Sequence, residues 1–326
     1  EHGVTEVTHN IDLVEAMVMQ ASGGLNSVAD LGFDVQPNGH AIQARIYAED
    51  PNHDFRPTPG DISLVQFPDA DGLRVDTWIK SGTAVAPFYD PMLAKINTKQ
   101  SSRSEAIAAL SEHLASSVIH GIETNIGYVT QALDLPAFQQ ATMTTASLDG
   151  LQYAPQSMEI VEAGAATTIQ SWPGRQGYWA VGVPPSGPMD DLSFRLGNRL
   201  LGNDSGAAGL EMVAKGPVIQ FNSDATIVIT GPGCEATLDD EPVSCFMPVA
   251  VTSGQNLVVG SINGGARAYL LVGGGLVIPE ELGSTATFTL GTLGGMNGRA
   301  LRAGDVIRLP VSNGQKAVQE TPLAYA

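Results

Sequence analysis

The first apolar positions to recur at helical spacing are Ile11, Val14, Val18 and Ala21. They predict a helix over 11–22, capped by Asn10 and stopped by Gly23-Gly24, with Asp12 in the first turn where the helix dipole favours an acid. Strand-like text follows at 40–46 and again at 61–67. The second stretch alternates apolar and polar residues as a half-buried strand does, and Pro57, Pro59 and Gly60 punctuate between the two. A further helix starts at Ser102, where Ser102 and Glu105 have capping-box spacing; Ile107, Leu110, Leu114 and Val118 give its buried face. A short helix is expected from about Asn125 to Leu133, ending before Pro136. Beyond residue 150 helical periodicity survives only around 191–201. Short apolar runs at 225–230, 256–259 and 268–272 lie between glycine-rich turns, a pattern of strands in a barrel or sandwich. The expectation is an α+β domain over 1–148, a linker at 149–157 and a mainly β domain over 158–326. No repeat of solenoid length is present, and the text after Pro310 is ragged and polar.

Composition narrows the function. The chain has 326 residues, 43% of them hydrophobic, enough for sizeable cores. No apolar run approaches the ~20 residues of a membrane-spanning helix. A net charge of −18 argues against a general binder of nucleic acid or anionic membranes. All six His lie in the first 120 residues, whereas Cys234 and Cys245, the only Cys, lie in the second half. A Cys–His site would have to cross between halves, and a Ser-His-Asp triad cannot form within the second. Two Cys are too few for a disulfide scaffold, so a reduced, cytoplasmic setting is the default. Neither a G-x-x-x-x-G-K-[ST] loop, a strand-linked G-x-G-x-x-G nor zinc-type Cys/His spacing occurs, so no metal ligands are assigned. The chain opens on Glu1 rather than Met, which reads as a true start removed by processing or fragmentation.

Four places could carry chemistry. Glu1-His2 offers a carboxylate beside an imidazole, although a terminal charged dipeptide is more often simply solvated. Arg45 interrupts an apolar strand, with Glu49 and Asp50 just beyond it. It reads either as an internal ion pair or as an anion clamp, because guanidinium presents forked donors at any pH. The segment 87–95 gathers Tyr89, Asp90 and Lys95 between prolines, as a site lining or as a turn closed by a structural pair. The glycine- and proline-rich stretch 174–190 carries Arg175, Ser186 and Asp190. It could cradle a polar ligand with its backbone N–H groups, or be a long turn with Asp190 or Asp191 as a helix cap.

These residues also carry family resemblances. Glu1-His2-Gly3-Val4-Thr5-Glu6 resembles the end of the QVEHPVTE segment of biotin carboxylases, and Gly39–Asp50 resembles their GHAIEARIYAED motif. Arg56–Gly60, Tyr89–Lys95 (YDPMLAK) and Gly121–Asn125 continue the match to about residue 148. The second half is similar to the allophanate hydrolase subunit 2 family, a group that also includes components of 5-oxoprolinases. The similarity runs through Gly174–Tyr178, Gly182–Asp190, Glu211, Gly283–Thr285 and Leu293–Arg299, to about residue 309.

A biotin carboxylase followed by such a domain is the order of the urea carboxylases. That resemblance implies a biotin carboxylase C-terminal lobe joined to part of a cyclophilin-like barrel with carboxyltransferase function. It implies a ligase that uses ATP, Mg2+ and bicarbonate to carboxylate biotin on a carrier domain, and then transfers the carboxyl group to urea, giving allophanate. By resemblance Glu1 is the base that deprotonates bicarbonate, and Arg45 holds it and steadies the biotin enolate. Asp90 and Lys95 belong to the first site without an assigned step. Arg175, Ser186 and Asp190 border the acceptor site or the route of the carboxylated biotin. The nucleotide-binding part would precede Glu1, the carrier and subunit 1-like regions would lie elsewhere, and the full-length enzyme would be a homo-oligomer. The 326 residues alone are then expected neither to hydrolyse ATP nor to carboxylate urea. Guanidine as acceptor, a non-catalytic assembly module, and a hydrolytic component of the 5-oxoprolinase or allophanate hydrolase type are the competing readings.

Overall fold

A computed structural model describes residues 3–25, 27–31 and 36–310. It divides into two compact units between Tyr153 and Ala154. The first opens with helix α1 (Gly3–His9), which sequence periodicity did not reveal, and α2 (Leu13–Ala21). Asp12, not Asn10, caps α2: its carboxylate accepts the Glu15 N–H at 2.9 Å. Asn10 instead takes a left-handed φ of 52°, which asparagine tolerates, and separates the two helices. Of the apolar positions that recur at helical spacing, Val14 and Val18 are exposed, at 67% and 62%.

Three antiparallel strands form the main sheet of this unit, with Met92–Gln100 between His40–Tyr47 and Leu73–Thr77. Alternation sends Ile42, Ala44, Ile46, Ala94 and Ile96 to one face. There they meet Ala106, Ile107, Leu110 and Leu114 of α3 (Arg103–Ser116). The Ser102–Glu105 capping box is present with both of its bonds. Val118, expected on this helix, starts the strand Val118–His120, because Ser117 has already left helical φ/ψ. The expected strand over 61–67 is reduced to Leu64–Gln66, paired with Val118–His120, while Gly60–Asp61 pairs with Ala84–Val85. Helix α4 (Ile126–Leu133) is followed by the single turn α5 (Pro136–Gln139), which Pro136 opens where its missing N–H costs nothing.

The second unit holds two antiparallel sheets. One runs Glu241–Pro242, Cys234–Leu238, Asn256–Ile262, Val218–Phe221, Ser157–Glu162, Val306–Arg308; the other Ala166–Gln170, Gly209–Val213, Arg267–Val272, Ala225–Thr230, Val249–Val251. Ser157, placed by sequence at the end of the linker, is fully buried in the first of them. Met158, Ile160, Ile219, Phe221 and Leu257 of one sheet face Ile169, Leu210, Met212, Ile229 and Leu270 of the other. Of the two architectures the pattern allowed, barrel or sandwich, the described residues form two facing sheets, and the cyclophilin-like barrel that the resemblance implies does not close among them. Each sheet keeps its own edge strands, and the core fills the space between two layers. Helix α6 (Asp191–Leu200) covers the outer face of the five-stranded sheet, where Phe194 and Leu201 pack with Val228, Tyr269 and Leu271.

Candidate functional site

In the first unit the sheet face opposite α3 is polar. Strand register sets Arg45 opposite Lys95, and Lys95 opposite Asp76, so two cations and an acid share one row across three strands. Arg45 is exposed and Lys95 half-buried. The next row is Gln43, Asn97 and Arg74. Helix α1 lies on this row. Gly3 sits so close to the amide groups of Asn97 and Gln43 that a Cβ there would collide with both. Glu6 of α1 accepts from Arg74 Nη1 at 2.7 Å and from the Leu13 N–H at 3.0 Å. Glu1, the residue given the role of base by resemblance, and its neighbour His2 lie outside the described residues.

Beyond Arg45 the strand carries an irregularity between Ile46 and Tyr47. Asn125 grips it. Its Oδ1 accepts from the Tyr47 N–H at 2.9 Å, its Nδ2 donates to the Arg45 carbonyl at 3.1 Å, and its own N–H donates to the Tyr47 carbonyl at 3.2 Å. Asp90 is exposed and accepts the Met92 N–H at 2.8 Å, turning the chain into the central strand. Burial and then the nearby charge of Asp90 raise the pKa of Glu49 above its ordinary value. The cationic row is therefore bordered by acids: Asp76 within it, and Glu49 and Asp90 at the end of the strand.

In the second unit the stretch 174–190 separates into three fates. Arg175 is fully buried. It donates from Nε to the Glu281 carbonyl at 2.9 Å and from Nη2 to the Ala286 carbonyl at 3.0 Å, tying the loop 281–286 to its own. Ser186 is half-buried with a left-handed φ of 57°, and the next N–H, that of Gly187, donates to Gln170 Oε1 at 3.0 Å. Asp190 caps α6, accepting from the Ser193 N–H at 3.0 Å and the Ser193 hydroxyl at 2.5 Å. Of the three, only Asp190 lines a cavity of about 610 Å3, together with Met189, Leu192, Ser193, Phe246 and Arg267.

A polar network stands behind that cavity. Glu211 Oε2 accepts from the Met189 N–H at 2.7 Å and from the Tyr269 hydroxyl at 3.0 Å, and Tyr269 Oη in turn accepts the Asp190 N–H at 2.7 Å. Arg267 Nε lies 3.3 Å from Glu211 Oε1. Burial is the main reason the Tyr269 hydroxyl is held protonated well above the usual phenol range. Sequence reasoning did not single out Arg267 or Tyr269. One signal was available: Arg267 is the only Lys or Arg between Lys215 and Arg299.

Residues 43–150 match the family described as the biotin carboxylase C-terminal domain, and residues 181–325 match the carboxyltransferase domain, subdomain A and B. The chain is 44% identical over 325 residues to urea amidolyase of Saccharomyces cerevisiae, a match covering 99% of this chain and 17% of that protein. It is 38% identical over 333 residues to a putative urea carboxylase of Emericella nidulans, covering 98% and 27% respectively. The crystal structure of the Kluyveromyces lactis urea carboxylase superposes with a TM-score of 0.85 at 42% identity, over 95% of this chain and 27% of that one. The chain thus spans a minor part of the length of the proteins it matches. Its similarity to the urea amidolyases and urea carboxylases runs over almost its whole extent, with a stretch that matches the biotin carboxylase C-terminal domain followed by one that matches the carboxyltransferase domain.

Proposed function

We propose that this chain is part of a biotin-dependent, ATP-consuming ligase that takes a carboxyl group from bicarbonate and delivers it to urea, giving allophanate. The observation that carries the reading is a likeness to urea amidolyase that runs unbroken through both domains and the joint between them. ATP activates bicarbonate, and biotin, borne on a carrier domain, accepts the carboxyl and carries it between sites.

In the first domain the donor set suits an oxyanion. Arg45 presents a planar, permanently charged fork on an exposed strand position, and Lys95 stands opposite with a second positive charge. Such a pair binds bicarbonate and stabilises negative charge on the biotin ureido oxygen without reorganising. Glu1 takes the role of base toward bicarbonate. Asp90 shapes the start of the strand that carries Lys95.

In the second domain the cavity beside α6 is the acceptor site. Asp190 offers carboxylate oxygens to urea N–H groups, and Arg267 offers donors to the urea carbonyl. Urea matches both halves of this pair, its N–H groups on Asp190 and its carbonyl oxygen on Arg267, whereas guanidine has no carbonyl oxygen for Arg267 to meet. Arg175 and Ser186 act on the site through the loop they hold.

The test is a chimaera in which this chain replaces the matching segment of the S. cerevisiae urea amidolyase. Urea- and bicarbonate-dependent ADP formation is expected to persist, to exceed turnover on guanidine, and to fall on the order of 100-fold or more with Arg45→Ala. A folded chimaera that turns over guanidine in preference, or that is indifferent to Arg45→Ala, overturns the reading.

A further inference from the structure

Cys234 and Cys245 play no part in the function proposed above, yet they are placed together. The hairpin that joins them pairs Thr237 with Pro242 and Leu238 with Glu241. The Val243 N–H continues that register to the Ala236 carbonyl at 2.9 Å. Extended by two residues, the same register brings Cys234 opposite Cys245, and the two Sγ atoms lie 3.9 Å apart as free thiols. Both residues are partly exposed while packing against the core. Their chain neighbours reach the cavity beside α6, since Gly231 and Pro232 line it just before Cys234 and Phe246 lines it just after Cys245.

The two sulfurs are not equivalent. The two thiols share one hydrogen bond in which either sulfur can donate, and the Cys234 backbone N–H adds a second donor on the Cys245 side only; together they bring the Cys245 pKa down to about 6, while the shared bond and burial push the Cys234 thiol up. One thiol is thus prepared as a nucleophile and the other as its resolving partner. An approach from 3.9 Å to the ~2.05 Å of a disulfide is within the reach of side-chain rotation across paired strands.

We propose that Cys234 and Cys245 form a dithiol modification site that exchanges with small-molecule disulfides of the glutathione type and closes a bridge behind the wall of the cavity. The exchange balances in two steps. The Cys245 thiolate attacks one sulfur of the disulfide, forming a mixed disulfide and releasing one thiolate. Cys234, its proton passing to solvent, then attacks Cys245 Sγ, forming the Cys234–Cys245 bond and expelling the second thiolate. Two protein thiols are oxidised and one external disulfide is reduced to two thiols. The bridge ties Gly231-Pro232 to Phe246 and so stiffens one side of the cavity.

The test uses the folded, reduced chain in glutathione disulfide at neutral pH, followed by mass spectrometry. The expected product has lost the mass of two hydrogens and yields a peptide linking Cys234 to Cys245. Cys234→Ser should retain one glutathione on Cys245, whereas Cys245→Ser should be modified at Cys234 on the order of tenfold more slowly. Amide exchange in the oxidised wild type should slow at 231–233 and 246–247. A wild-type chain that accumulates glutathione on both cysteines without bridging, or stays reduced while the denatured chain reacts, overturns the proposal. The wild-type measurement decides the matter even where a serine variant fails to fold.

Discussion

On either side of Ile46 the backbone is bonded to one amide side chain from a segment nearly 80 residues away. Asn125 accepts from Tyr47 and donates to Arg45, doing at a strand irregularity what a neighbouring strand does elsewhere. The direction of the Arg45 side chain follows from that backbone, so Asn125 is a positioning residue for it. Asn125→Ala removes one partner each from the Tyr47 N–H and the Arg45 carbonyl and is expected to cost about 1–3 kcal/mol. Hydrogen exchange at the Tyr47 amide should quicken, and Asn125→Asp, which keeps the acceptor and loses the donor, should fall between. Unchanged exchange in Asn125→Ala would show that the grip is dispensable. At this scale the sequence was a mixed guide. Arg45 stood out as a cation inside an apolar strand, read as an ion pair or an anion clamp, and strand alternation places it on the exposed, polar face of the sheet. Arg175 looked equally conspicuous, with no other Lys or Arg for some 70 residues before it, yet it is fully buried on carbonyls 106 to 111 residues further on. Acceptors that distant leave no local trace, and a buried structural arginine and a ligand arginine look alike until the fold is known.

Local signals decided whole elements where they were strong. The capping box at Ser102 and the spacing of Ile107, Leu110 and Leu114 placed α3 correctly. Asp190 proved to be the cap of α6, one of the two roles its loop allowed. The spacing of short apolar runs and turns marked the later strands but not which of them become neighbours, so barrel and sandwich stayed open until the two facing sheets decided between them. Helix α1 was missed because its residues are largely polar and its hold on the sheet comes from Gly3 and Glu6 rather than an apolar stripe. One residue makes α3 sensitive to pH. His113 is 7% exposed, its Nδ1 lies 3.1 Å from Thr98 Oγ1, and burial lowers its pKa below the ordinary 6.5. A histidine that resists protonation in the folded state gains protons on unfolding. Its contribution is therefore intact above about 6.5 and is lost as the pH falls below that value toward the lowered folded pKa. Chemical denaturation between neutral and mildly acidic pH should show the wild type losing stability more steeply than His113→Asn. Parallel curves for the two would mean that His113 is not the sensitive group.

Each unit buries an apolar core of its own. The first draws its buried residues from Ile42 to Leu133, the second from Met158 to Leu309, and among the described residues neither core borrows from the other's segment. Charge is unevenly shared as well, since residues 1–150 carry 7 basic and 19 acidic residues, a net of −12, and the remainder 9 and 15, a net of −6. The two family matches fall on the same two stretches, so each unit corresponds to a separate family domain. Stability should then be separable. Leu110→Ala opens a hole where the side chain is fully buried and is expected to cost about 2–5 kcal/mol in the first unit. Leu270→Ala, equally buried, should cost a similar ~2–5 kcal/mol in the second. Amide exchange followed by peptide mass spectrometry distinguishes local from global effects. Leu110→Ala should quicken exchange in His40–Tyr47 and Met92–Gln100 and leave Ala225–Thr230 and Arg267–Val272 at their wild-type rates. Leu270→Ala should do the reverse. Matching acceleration in both sets from either single change would mean that the units unfold as one, and that the two domains share a common structural fate despite separate cores.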